Sequence, residues 1–244
     1  MRCLAPGTGG LDPAVYVIPN TASAIAQEIS GMDLPHRIRH SLTTRLLHLL
    51  LAAAIVCQLV DAQLMRVPRP GPVASSTEAT AFTVHEYVGL VTMTIVALFW
   101  LWLLVRRLET DPGTLMPWFS RRRLAALRDD VACHLRAAPQ FTLPDPDRSP
   151  ALAPAIQGLG LVIVLVMAAT GTVGYLSWTP GTPMTGLAGL AFDLHGTLAN
   201  ALWAYVIVHV GATLLHELLG HRLLRRVLPL PDKGVARPAV YQTE

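Results

Sequence analysis

Nine histidines occur in a sequence that is otherwise strongly apolar. Two of them, His195 and His209, stand fourteen residues apart in the run LHGTLANALWAYVIVHVGATLLH, from Leu194 to His216. At about 100° and 1.5 Å per residue, fourteen residues make nearly four helical turns, so both imidazoles share one face about 21 Å apart. Ionisable side chains are rare within the hydrocarbon layer, and there they carry a functional reading by default. A neutral imidazole binds a metal through one ring nitrogen and donates its other N–H to a carbonyl or carboxylate. Two imidazoles on facing helices fill both axial positions of a porphyrin iron, which then exchanges electrons but offers no open position to dioxygen or substrate. This helix is therefore expected to supply one ligand to each of two haems.

The other two ligands must come from other spans. The first span is predicted from about Leu46 to Met65 and carries His48, Gln58 and Asp61. The second runs from about Ala81 to Val105, with His85 and Glu86 near its start. From Ala151 to Phe192 no charged residue appears, and SWTPGTPM breaks that run. This predicts a third span over about Ile156 to Leu176, with Trp178 as an interfacial anchor, and a fourth from about Phe192 to His216. Alternating direction then assigns depths. His48 and His209 fall near one surface, and His85 and His195 near the other, so the four form two level pairs. His216 shares the face of His209, but lies far enough along the span to reach the surface. His36, His40, His134 and His221 belong to polar segments and read as solvated.

Composition agrees with a membrane protein. Of 244 residues 52% are hydrophobic and 14% charged, where soluble domains run near a quarter charged. The net charge of +3 does not mark a nucleic-acid surface, because the basic residues fall in short blocks beside apolar runs. Of the 19 Lys and Arg, only Arg66 and Arg69 lie between spans one and two, and none lies between three and four. The positive-inside rule then places both termini and the 108–150 loop in the cytoplasm. Three scattered cysteines, Cys3, Cys57 and Cys133, make no covalent haem motif. Residues 1–35 read as a loose cytoplasmic tail and 231–244 as a C-terminal tail, around a 36–230 membrane domain. Within the loop, RRRLAALRDDVACHLR reads as an amphipathic surface helix or a loop helix packed on its neighbours. PQFTLPDPDRSPALAP after it reads as extended. HELLGH, from His216 to His221, resembles the zinc motif H-E-x-x-H, but its spacing of five puts the second histidine about 140° off the face that motif needs.

The surroundings of the four histidines suit the expectation. Ala199, Leu202 and Val206 lie between His195 and His209 and make a dry gap. Gly89, one turn after His85, leaves room for a flat ring, and Gly171 and Gly174 could do the same or serve helix packing. Arg45, one turn before His48, is placed to pair with haem propionates. Asp61, Glu86 and Asp193 fall at the outer ends of three helices, where carboxylates could handle protons. A transporter using the histidines for protons or metal ions is the reading from a different class, but no broken helix marks a midplane site.

The strings TRLLHLLLAAAIV, VHEYVGLVTMTIVALFWLWLLVRR and DLHGTLANALWAYVIVHVGATLLHELLGHRLLRRVLP resemble the bacterial cytochrome b561 family. They are similar also to the related b-type cytochrome subunits of nickel–iron hydrogenases and other dehydrogenases. The resemblance covers about residues 36 to 230. It implies an all-α integral membrane four-helix bundle with two non-covalent haem b groups between its helices. By position it implies His48, His85, His195 and His209 as the iron ligands. It implies electron transfer to or from quinone in the bacterial plasma membrane, in some relatives as superoxide oxidase. If the chain is an enzyme, it would be an oxidoreductase acting with quinone. The alternative implied is the membrane anchor of a hydrogenase or dehydrogenase, with a redox subunit docked on the loop or a membrane face. Expected partners are lipid and quinone, with no nucleic acid.

Overall fold

In the computed structural model, residues 41–68, 70, 71, 73–106, 112–137, 139, 151–220 and 223–228 are described. They are all helix and connection, with no strand among the described residues. Four long helices, α1 (Leu42–Leu64), α2 (Ser76–Val105), α5 (Leu152–Ser177) and α6 (Gly186–Leu218), are each long and apolar enough to cross a bilayer. Between α2 and α5 lie the short α3 (Pro112–Leu115), a 3-10 turn (Pro117–Phe119) and α4 (Arg121–Ala137), and α7 (Leu224–Val227) follows α6. The two tails, most of the Pro-rich stretch after α4, and His36, His40 and His221 lie outside the described residues.

The long helices begin four to six residues before the apolar runs, and polar side-chain caps start the first two of them. Ser41 accepts the Thr44 N–H through its hydroxyl. Ser75 and Glu78 form a reciprocal capping box at the head of α2. Apolar periodicity reports only the part of a helix that meets lipid or core, whereas caps lie in the polar layer beyond it. The end of α6 is set by Gly220, whose φ of +86° closes the helix. Hence HELLGH does not continue as one helix, and the zinc reading fails on backbone as well as on spacing.

Helix α1 packs on α2, α5 on α6, and α2 on α5. The shared core holds Leu51 and Leu59 of α1, Val96 and Phe99 of α2, Leu161 and Val164 of α5, and Leu202 of α6. Val96 is wholly enclosed. Leu50, Val60, Leu98, Leu101, Ile207 and Val208 face outward, as lipid-contacting residues must. Trp178, expected as an interfacial anchor, is instead buried in a small second core with Phe82 and Ala188. Its ring meets Phe82 and Phe192 edge-on, and its indole N–H donates to the Thr182 carbonyl at 3.1 Å. The α5–α6 turn folds back over the indole, so the residue at this helix end closes the bundle.

The loop is tied to the bundle at two points. The Leu115 carbonyl rests on Gly158 of α5, where any Cβ would collide with it. The Asp130 carboxylate of α4 accepts the N–H groups of Ala151 and Leu152 at 3.1 and 3.0 Å. Helix α5 has no capping side chain of its own, so Asp130 supplies the cap from another helix. Asp130→Ala is expected to cost about 1 kcal/mol and to lower the thermal midpoint in detergent by several degrees. Asp129→Ala, at an exposed neighbour, should leave the midpoint unchanged.

Candidate functional site

The bundle brings the four intramembrane histidines together two by two. At one end His85 of α2 faces His195 of α6, with ring centres 6.1 Å apart and planes at 87°. At the other end His48 of α1 faces His209 of α6, at 6.4 Å and 48°. All four rings are half-buried.

His195 is oriented by α5. Its Nδ1 lies 3.0 Å from the Met167 carbonyl and 3.2 Å from the Thr170 hydroxyl. The hydroxyl itself donates to main-chain carbonyls of α5. A carbonyl only accepts, so Nδ1 carries the proton and Nε2 keeps a free lone pair. That is the tautomer a metal-ligating histidine adopts when its second nitrogen bonds a carbonyl. Gly171 makes the approach possible: a Cβ there would come within 3.0 Å of the His195 ring. Gly174 admits the Phe192 ring in the same way, so these two glycines serve the packing of α6 against α5.

Its partner His85 is held through the main chain, where Gln58 Nε2 of α1 donates to the His85 carbonyl at 3.0 Å. The notch at Gly89 admits that same Gln58 amide, which would stand 2.9 Å from a Cβ. His85 Nδ1 and Gln58 Oε1 are both buried, and neither has a hydrogen-bond partner among the described residues. Buried polar atoms in that state are rare and cost free energy.

His209 is positioned by an aromatic plate. Tyr205, one turn earlier on α6, stacks on it with centres 5.4 Å apart and planes within 14°. The Tyr205 hydroxyl donates to the Ile156 carbonyl of α5 at 3.2 Å. Gly160 leaves the space that the phenol ring fills. Around His48, Thr44 one turn earlier accepts hydrogen bonds from Trp102 Nε1 at 3.0 Å and Arg106 Nη1 at 2.6 Å. Arg45 lies on the same turn of α1, so two guanidinium-bearing residues belong to this end of the bundle.

These residues fit a metal held between the rings. An imidazole nitrogen binds iron-row metals at about 2.0 Å, so two rings on opposite sides of one ion stand roughly 6 Å apart, centre to centre. Both observed separations agree with that. Helix α6 meets α1 and α2, the helices that carry its partners, mainly through side chains of the shared core. Between the two levels, Leu202 is buried and Ala199 and Val206 pack on the core. No group of three or more His, Cys, Asp or Glu that could hold a bare metal ion occurs among the described residues.

Tyr205, Thr170 and Arg106 are contributors that the sequence did not single out. Tyr205 lies four residues before His209 on one helical face, a spacing that was available to be read. Thr170 and Arg106 act from other helices, and nothing local marks them.

The family model for prokaryotic cytochrome b561 matches residues 39–230 of this chain. No curated protein matches, and neither does any solved structure. The match spans most of the sequence, so the chain belongs to the prokaryotic cytochrome b561 family. It is accordingly a multi-pass membrane b-type cytochrome that binds b-type haem and transfers electrons. Gly171→Leu, which drives a branched side chain into the His195 ring, is expected to lower the haem content read by pyridine haemochrome assay. Thr170→Val should retain haem, but shift the reduced spectrum or the midpoint potential by weakening the bond at Nδ1.

Proposed function

We propose that this cytochrome holds two b haems, one between His48 and His209 and the other between His85 and His195. It exchanges their electrons with the quinone pool of the bacterial inner membrane. The observation that carries this reading is the pair of imidazole separations, each suited to two axial ligands on one iron, at opposite ends of a dry helix bundle. Each haem, when bound, would supply reversible one-electron chemistry between its two histidines.

The chain's own side chains do the remaining work. Met167 and Thr170 keep Nδ1 of His195 protonated and its Nε2 free. Tyr205 fixes the plane of His209. Arg45 and Arg106 stand where carboxylates emerging beside His48 would be paired. The Leu202 layer excludes water between the two levels, and α6 alone spans them, about 21 Å apart by helix rise.

Support for a quinone partner comes from the outer ends of α1 and α2. There a shallow, open depression of about 380 Å³ is lined by Asp61, Ser76, Thr77, Thr80, Ala81 and Val84. Ala81 lies one helical turn from His85, and Asp61 also accepts from the Cys57 thiol at 3.3 Å. A carboxylate beside three hydroxyls, close to one histidine pair, can hold a hydroquinone hydroxyl and receive its proton. Glu86 and Asp193 are further carboxylates at that end.

Substitution by pairs tests the haem assignment. His48→Ala and His209→Ala should each leave about one haem per chain with the same residual spectrum. His85→Ala and His195→Ala should leave the complementary one. Two haems surviving any of the four changes, or unlike losses within a pair, would overturn it. For the quinone, Asp61→Asn is expected to slow oxidation of the reduced protein by a short-chain quinone roughly tenfold, with haem content intact. An unchanged rate would remove Asp61 from the site.

A further inference from the structure

Helix α4 carries a surface that the electron-transfer reading does not use. Its 17 residues hold Arg121, Arg122, Arg123, Arg128 and Arg136 against Asp129 and Asp130. One face is engaged with the protein. Arg123 leans on Gly113 of α3, and Asp130 caps α5. Half-buried Leu127 lies on that same side.

The neighbouring face is different. Leu124, Val131 and Leu135 recur at spacings of seven and four, which brings them within about 40° of one another on a helix. They are exposed by 49%, 36% and 68%. Arg128 and Arg121 border this stripe along the edge away from the protein, and Arg128 meets Asp129 in a loose, exposed contact at 4.0 Å. Just before the helix, Trp118 and Phe119 are also exposed, Phe119 by 83%. An apolar stripe edged by arginines, with aromatic residues at its head, is the make-up of a helix lying in the plane of a membrane interface.

Two further facts settle what covers it. Asp130 hydrogen-bonds the first turn of the membrane-spanning α5, so α4 is held within a turn or so of the hydrocarbon edge. The charge is also complementary to phosphate, because four of the five arginines (all but Arg123) are exposed.

We infer that α4 lies in the headgroup layer at the His48–His209 end of the bundle. Leu124, Val131, Leu135 and Phe119 enter the acyl boundary, and Arg121, Arg122, Arg128 and Arg136 bind anionic phospholipid headgroups. The helix then anchors the start of α5 to the bilayer surface. This placement does not depend on the haem or quinone assignments.

Amide hydrogen exchange over 121–137 tests it on the full chain. The haem-loaded protein would be placed in detergent, in phosphatidylcholine nanodiscs, and in nanodiscs with about one third phosphatidylglycerol. Exchange should be slowest with phosphatidylglycerol, by roughly tenfold relative to phosphatidylcholine alone. Changing Arg121, Arg122, Arg128 and Arg136 together to Gln should erase that difference. Leu124→Ser with Leu135→Ser should raise exchange in both bilayers, while the haem spectrum reports that the bundle stays folded. Equal exchange in the two bilayers overturns the proposal. So does a phosphatidylglycerol effect that survives the four arginine changes, or protection that requires a soluble protein fraction, which would make α4 a partner-docking helix.

Discussion

An imidazole in hydrocarbon must have something to bind, and this chain places four of them there. The cost of desolvating a ring nitrogen is recovered only if both nitrogens find partners. For His195 one partner is visible, the Met167 carbonyl reached through the notch at Gly171. Opposite it stands the His85 ring, with ring centres 6.1 Å apart. The spacing of helices α1, α2 and α6, the small residues on α5 and the dry layer at Leu202 can all be understood as arrangements that keep two such pairs apart and enclosed.

The division of labour among the helices follows from this. Helix α6 crosses both levels and bears one histidine of each pair, whereas α1 and α2 bear one each at opposite ends. Helix α5 has no histidine, and its contribution is steric and hydrogen-bonding. Gly160 receives Tyr205, Gly171 receives His195 and Gly174 receives Phe192. A glycine in mid-helix sacrifices packing area, and here each such loss is filled by a ring that α6 needs held in a set orientation. The two pairs differ in the angle between their rings, 48° against 87°, and in how they are held, by aromatic stacking at one end and carbonyl bonding at the other. The two histidine pairs, alike in composition, are therefore unlike in geometry and support.

The ends of the bundle are organised by polar groups acting across elements. Trp102 and Arg106 of α2 close on Thr44 of α1, and Asp130 of α4 caps α5. Trp178 draws the α5–α6 turn inward. Such contacts sit where water or headgroups would otherwise compete, and at Thr44 and Asp130 two donors converge on one acceptor residue.

Much of this was legible in the residues alone. Apolar runs of about twenty residues have few alternatives to a spanning helix, because only a helix satisfies its own backbone in lipid. Depth along such a helix is fixed at 1.5 Å per residue, so the level of each histidine, and with it His48 opposite His209 and His85 opposite His195, could be read by counting. What counting could not reach was rotation and contact between helices. That the Gly89 notch admits Gln58, that Trp178 is buried, that Tyr205 lies flat on His209, and that Asp130 caps a helix 21 residues away all depend on which faces meet. In a membrane helix apolar on every side, hydrophobic periodicity carries almost no information about that, and only the packed bundle decides it.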